Sequence, residues 1–219
     1  AREHGVLTSI DNRCATPFFQ RAADFGIDLV VHSGTKYLSG HSDAMGGIVC
    51  GPRHLLEKMF AHEFMALGGL MSPRDASLIL RGLRTLHLRV QRSNDSAMLL
   101  AERLYQHPNV HELYYPYHPS FPQYELAKRQ MKGGGGLFSI LLRTDKISVV
   151  DRFAESLRCF SMAVSWGGHE SLVLPLSGFY QVPGQNDHPL PFQLVRVYVG
   201  LEDPEWLWAD LQQALDGLH

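Results

Sequence analysis

Residues 6–36, VLTSIDNRCATPFFQRAADFGIDLVVHSGTK, decide the fold. VLTSI reads as a buried strand ending at Asp11. DNRCATP then leads into a helix with Thr16 as its N-cap, Pro17 at the first helical position and Gly26 just past the end. Asp28 to Ser33 reads as a second strand. Strand, short helix and strand in this space form a βαβ unit, whose right-handed crossover makes the two strands parallel in one sheet. This predicts an α/β fold. Working outward, AREHG at residues 1–5 reads as the last turn of a helix closed by Gly5, so the chain is expected to open inside a truncated domain. Ala44 to Cys50 supplies a further strand.

Pro52 opens a helix expected to run to about Ala66, where Gly68 and Gly69 break the pattern. Ser72 caps the next one. From Pro73 the helical periodicity continues almost to Pro108, with Gly82 as a bend, a length suited to a helix joining two domains. The boundary is therefore placed at Gly82, giving domains 1–82 and 83–219. Beyond it NVHELYY, GLFSILL, CFSMAVS and LVRVYVG read as strands, and Pro122 to Met131, Ser148 to Leu157 and Pro204 to Leu215 as helices. The Gly133 to Gly136 run lacks any phosphate-loop context and reads as a flexible entry to a strand.

Charge narrows the partners. Lys and Arg total 20 against 22 Asp and Glu in 219 residues, and the pI is near 6.7. Neither nucleic acid nor an anionic membrane finds an electrostatic footprint here. No apolar run reaches the length that spans a bilayer, and the N-terminus lacks the regions of a signal peptide, so a cytoplasmic location is expected. Cys14, Cys50 and Cys159 are widely spaced, which predicts free thiols. His54, His62, His87, His107, His111 and His118 follow no metal spacing and are expected at surfaces and caps.

In an open parallel sheet, ligands bind beyond the carboxyl ends of the strands, where Asp11 and the Ser33-Gly34-Thr35-Lys36 turn should share one crevice. A lysine and a carboxylate meeting there fit pyridoxal 5'-phosphate (PLP): the amine forms a Schiff base with the aldehyde, and the carboxylate pairs with the protonated pyridine nitrogen. Ser33 and Thr35 add hydroxyls for the phosphate. Taken singly, Asp11-Asn12 reads as turn chemistry and Lys36 as a solvated loop lysine. Their convergence favours the cofactor.

Ser33 to Gly47, SGTKYLSGHSDAMGG, is similar to the cofactor-lysine signature of the Cys/Met-metabolism family of PLP enzymes, and SIDNRCATP resembles that family's aspartate segment. SPRDASLILRGLRTLHLRV, GLFSILL, SWGGHESL and LVRVYVGLED resemble later family segments in the same order, so the resemblance covers nearly the whole chain. It implies the aspartate aminotransferase-like fold, fold type I. Residues 1–82 would be the C-terminal part of the PLP-binding large domain and residues 83–219 the substrate-binding domain.

The resemblance further implies Lys36 as cofactor lysine and proton shuttle, Asp11 as pyridinium partner, and Ser33 and Thr35 as phosphate ligands. It implies Arg196 as the clamp on the substrate α-carboxylate, with Ser165 and Trp166 beside it. A salt-bridged strand arginine and a core tryptophan are the plainer alternatives for Arg196 and Trp166. SWGG resembles the bacterial cystathionine β-lyase branch, whereas γ-synthases and γ-lyases usually carry SLGG. The implied reaction is β-elimination of L-cystathionine to homocysteine, pyruvate and ammonia; γ-type chemistry and a non-catalytic binding or regulatory relative are the alternatives. Arg13 and Cys14 depart from the usual DNTWATP, which bears on substrate preference. The family's preceding half supplies a glycine-rich phosphate contact, a ring-stacking aromatic and phosphate contacts from a neighbouring subunit. The resemblance thus implies a homo-oligomer, dimer or tetramer, when full length, and an inactive chain in isolation.

Overall fold

The computed structural model describes residues 1–180 and 188–218. Strand β1 (Ser9–Asp11) lies parallel to β2 (Leu29–Ser33), with Asp11 opposite Val31, and β3 (Gly47–Cys50) runs antiparallel on the far side of β2. The parallel pair expected from the βαβ reading is present, and so is the third strand. Two details differ. β1 is a short edge strand rather than a buried one: Val6 and Leu7, expected within it, precede it and are 58% and 60% exposed. The connecting helix is split into α1 (Thr16–Phe19) and a single 3-10 turn at Ala22–Phe25.

The split has a local cause. The buried Asn12 amide donates to the carbonyls of Thr16 and Gln20, at 3.3 and 2.8 Å, taking acceptors that a continuous helix would use itself. Thr16 stands inside α1 with Ala15 as N-cap, yet its hydroxyl accepts the Phe18 N–H at 3.2 Å, the chemistry expected of a cap. Gly26, in the left-handed conformation, ends the second turn as predicted, and Gly5 likewise closes the turn at Arg2–His4.

Next, α2 (Arg53–Met59), a π-helical turn (Phe60–Phe64) and α3 (Met65–Leu67) run together up to Gly68, the stretch expected as one helix. The Ser72 hydroxyl caps α4 (Pro73–Leu83) by accepting the Asp75 N–H at 3.0 Å. The long helix expected beyond it is interrupted at Arg84–Thr85, and α5 runs from Leu86 to Tyr105. Gly82 is no bend. Its lack of a side chain lets α4 lie on the loop after β2: a Cβ there would fall 2.1 Å from the Ser39 carbonyl oxygen and 2.6 Å from that of Leu38. These are backbone atoms that cannot step aside. Gly82→Ala is therefore expected to destabilise the chain by about 1–3 kcal/mol, a Tm loss of about 3–10 °C in a thermal melt. An unchanged Tm would mean that the loop is not clasped against the helix.

The second sheet has the order β4 (Val110–Tyr114), β5 (Leu137–Leu142), β8 (Leu194–Tyr198), β7 (Leu172–Pro175), β6 (Ser161–Met162), antiparallel except between β6 and β7. Period-two alternation turns Phe138, Ile140, Val195 and Val197 inward. They pack with Leu100 and Leu104 of α5, Phe153 of α7 (Ile147–Ser156) and Leu207 and Leu211 of α9 (Pro204–Asp216). α6 (Tyr124–Gln130) lies between β4 and β5, and α8 (Ser177–Tyr180) follows β7. β7 and α8 are additions to the sequence reading, each only four residues long. β6 is shorter than the CFSMAVS run suggested.

Gly133 to Gly136 leads into β5 as expected, but it is pinned rather than flexible. The Asn94 side-chain oxygen accepts the N–H groups of Gly134 and Gly135, the Tyr37 hydroxyl accepts that of Gly136, and the Tyr115 hydroxyl donates to the Gly135 carbonyl at 2.7 Å. Added side chains would strike Phe19, Tyr115 and Ser93, so glycine serves close approach. Ala15, Phe19, Tyr37, Leu86, Val90, Leu172 and Tyr198 form a cluster joining the loops of the first sheet to the second. Each large apolar side chain fully buried there contributes roughly 1.5–3 kcal/mol. His118 is buried rather than at the surface, its ring nitrogens set against Ser120 and Glu102 at 2.7 and 3.1 Å. The three cysteines are free and exposed. Among the described residues, no helix is long and apolar enough to cross a membrane.

Candidate functional site

β2 ends at Ser33, and Gly34–Leu38 form one π-helical turn from which Lys36 departs with φ −88° and ψ −130°. The turn hangs on Gly46. Its carbonyl accepts the Gly34 N–H at 2.7 Å, and its N–H donates to the Thr35 hydroxyl at 3.1 Å. Tyr37 and Leu38 are buried, while Lys36 is only partly covered and projects toward Ser165 and Trp166. There its Nζ donates to the Ser165 hydroxyl at 2.9 Å and stands 4.5 Å from the centre of the Trp166 ring. Burial, followed by the Arg196 and Arg13 charges, holds the amine below the ordinary lysine range.

Ser165 and Trp166 reach Lys36 because Gly167 crosses its loop. At φ +89°, a Cβ on Gly167 would lie 2.5 Å from the Tyr37 nitrogen and 2.7 Å from the Lys36 carbonyl carbon. Arg196 comes from β8, in register between Ser139 of β5 and Leu174 of β7. Its guanidinium carbon is 5.6 Å from the centre of the Trp166 ring, and Nη2 is 3.5 Å from the Ser165 carbonyl oxygen. Arg196 also lines an apolar cavity of about 390 Å³ with Leu174, Leu176 and Phe179. Thr35 and Ser165 border another, of about 540 Å³, whose wall carries Asp43, Asp75 and Glu170.

Asp11 stands at the end of β1, its side chain 48% exposed and paired with Arg13, Nε to Oδ2 at 3.1 Å. The Arg13 N–H also donates to Asp11 Oδ1. The Arg13 guanidinium carbon lies 5.5 Å from the same Trp166 ring, so Arg13 belongs to the site and the sequence reading did not place it there. Its departure from the family segment was the only signal. Lys36, Ser165, Trp166 and Arg196 are thus brought together directly, and Asp11 joins them through Arg13. Ser33 and Thr35 lie on the shoulder of the loop, with the Thr35 hydroxyl engaged by Gly46.

These residues fit PLP. Lys36 and Asp11 rise from the ends of neighbouring parallel strands and bond to other partners rather than to each other, as suits groups that grip opposite ends of one ring. The Trp166 Nε1 is buried without a partner among the described residues, a donor available to an acceptor entering the crevice.

Comparison with known proteins gives the same answer. The structure superposes on cystathionine gamma synthase from Xanthomonas oryzae pv. oryzae, solved in complex with aminoacrylate and cysteine, with a TM-score of 0.90 and 36% identity, covering 100% of this chain and 57% of that one. In sequence the chain is 44% identical to L-methionine gamma-lyase of Pseudomonas putida, over 98% of its own length and 55% of that protein's. It is 42% identical to the chloroplastic cystathionine gamma-synthase 1 of Arabidopsis thaliana (99% and 39% covered) and 38% identical to cystathionine beta-lyase of Coxiella burnetii (98% and 57%). The chain spans about half the length of the curated relatives it matches. Its fold is that of the fold type I PLP enzymes, as expected from the sequence. The family model for Cys/Met metabolism PLP-dependent enzymes matches residues 1–216, and the chain belongs to that family.

Proposed function

We propose that the protein to which this chain contributes is a carbon–sulfur lyase acting on L-cystathionine by β-elimination, with water completing the conversion to homocysteine, pyruvate and ammonia. PLP, when bound, supplies the electron sink and the covalent hold on the substrate amine. The observation that carries the reading is the seat of the Lys36 amine, 2.9 Å from the Ser165 hydroxyl and over the Trp166 ring, with Arg196 on the same ring. A lysine held below its ordinary pKa has more neutral amine at pH 7, which is the form that accepts a proton from the substrate Cα. Ser165 aims that amine. Arg196 presents a planar fork to the α-carboxylate, Asp11 holds the pyridine nitrogen protonated, and Ser33 and Thr35 receive the phosphate. In this reading residues 1–82 carry the cofactor and residues 83–219 the substrate, and the full-length protein assembles into a homo-oligomer.

Trp166 favours the β-reaction, because SWGG resembles the β-lyase branch. A γ-acting enzyme is the second reading, favoured by the 44% and 42% identities to a γ-lyase and a γ-synthase against 38% to a β-lyase. Product analysis separates the two. Cystathionine given to the full-length protein is expected to yield pyruvate and homocysteine; 2-oxobutyrate as the keto acid would sink the β-reading and leave the family assignment intact.

A further inference from the structure

Arg89 lies in the first turn of α5, only 9% exposed, in the stripe of buried positions that includes Leu86, Val90 and Ser93. Its guanidinium donates in three directions: Nε to the Thr85 hydroxyl at 3.0 Å, Nη1 to the Tyr37 carbonyl at 2.9 Å, and Nη2 to the Gly82 carbonyl at 2.7 Å. Among the described residues its acceptors are these neutral groups rather than a carboxylate. Burying a cation without a counter-charge costs several kcal/mol unless its hydrogen bonds are met. An apolar side chain would fill the space without that cost, so the cation requires another explanation.

The acceptors supply it. The Gly82 carbonyl belongs to the last turn of α4, where it also accepts the Thr85 N–H at 3.1 Å and where the helix dipole favours a positive charge. The Tyr37 carbonyl belongs to the residue after Lys36, where the loop has left helical geometry. Gly40 lies so close that a Cβ there would sit 1.7 Å from Nη1. Tyr37 is gripped at both ends, its carbonyl by Arg89 and its hydroxyl by the Gly136 N–H at 2.8 Å. Fixing Tyr37 fixes the direction in which Lys36 leaves the chain.

We propose that Arg89 is a positioning residue for Lys36, a buried guanidinium that locks the turn and aims the amine at Ser165 and Trp166. The inference rests on the reading of Lys36 as the cofactor lysine. The charged groups facing that amine are Arg196 from β8 and Arg13, with Asp11 behind Arg13. Released from its seat, the amine loses their repulsion and the partial burial. Its pKa then rises, and the neutral fraction at pH 7 falls about tenfold for each unit of rise.

The test is the pH dependence of Lys36 reactivity in the full-length protein. It is read in two ways: by borohydride-trapped PLP and by competitive acetylation, each followed by peptide mapping. Arg89→Lys keeps a cation and most of the stem but reaches only one carbonyl. It is expected to raise the Lys36 midpoint, slow its acetylation at pH 7, and spread PLP label to other lysines. Thr85→Ala, which removes the acceptor of Nε and the Thr85 hydroxyl's own bond to the Gly82 carbonyl but leaves both Nη donors their carbonyls, should move the midpoint the same way by less. A folded variant of either kind with a lower Tm but the wild-type midpoint would show that Arg89 is only structural. PLP label landing elsewhere in the wild-type chain would instead overturn Lys36 as cofactor lysine, while acetylation still reports on Arg89.

Discussion

Lys36→Ala is expected to abolish covalent attachment of PLP and to lower turnover of the full-length protein by at least about 1000-fold, since in the proposed mechanism one residue both holds the cofactor and moves the proton. Other lysines do not share its setting. Lys58 lies on α2, Lys128 on α6, and Lys132 and Lys146 in connections, whereas Lys36 follows a strand end beside Asp11. The fold should tolerate the change. The side chain contributes one partly exposed hydrogen bond to Ser165, roughly 0.5–1.5 kcal/mol, so Tm should fall by only a few degrees. Borohydride reduction of the PLP-loaded wild-type protein and peptide mapping supply the measurement. A pyridoxyl label recovered on Lys58, Lys128, Lys132 or Lys146, or a label that persists undiminished in Lys36→Ala, would overturn the assignment.

What could be read in advance follows from how local each signal is. The parallel β1–β2 pair was legible because two apolar runs, Pro17 and Gly26 all lie within one short stretch. The broken crossover helix was not, because it depends on the Asn12 amide reaching carbonyls 4 and 8 residues ahead. Asn12 reads equally well as a turn residue. The break at Arg84–Thr85 was hidden for the opposite reason: periodicity continues through it, and the pressure on Gly82 comes from Ser39, far away in sequence. β7 is only four residues long, so its pairing with β6 and β8 is what defines it.

The site divides in the same way. The residues gathered around Trp166 were legible through resemblance, but Arg13 appeared only as a departure from it, and its position over the indole depends on the fold. Arg89 did leave a signal, a charged residue in the buried stripe of α5. A cation there points to acceptors waiting in another segment. Its partners on Tyr37 and Gly82 required the structure.

Arg196→Lys is expected to raise KM and lower kcat/KM about 10- to 1000-fold, equivalent to about 1.4–4 kcal/mol, with little change in cofactor absorbance or Tm. The argument begins with what Arg196 contacts. Its hydrogen bond in the structure is a long one to the Ser165 carbonyl, its guanidinium leans on Trp166, and its fork is not closed by a carboxylate among the described residues. A strand arginine serving only the fold would normally be neutralised or hydrogen-bonded along its fork. This one is left open beside Lys36. A substrate α-carboxylate can take two parallel N–H donors from it, and lysine can offer only a point charge on a flexible stem. In the proposed reading the carboxylate is held in both the ground state and the transition state, so the loss should appear first in KM, with any fall in kcat reporting misalignment of the Cα proton with the Lys36 amine. If Arg196→Lys instead lowers Tm while kcat/KM per folded enzyme stays at the wild-type value, the arginine belongs to the sheet, and the substrate carboxylate must be held by the backbone around Ser165 and by the Trp166 Nε1.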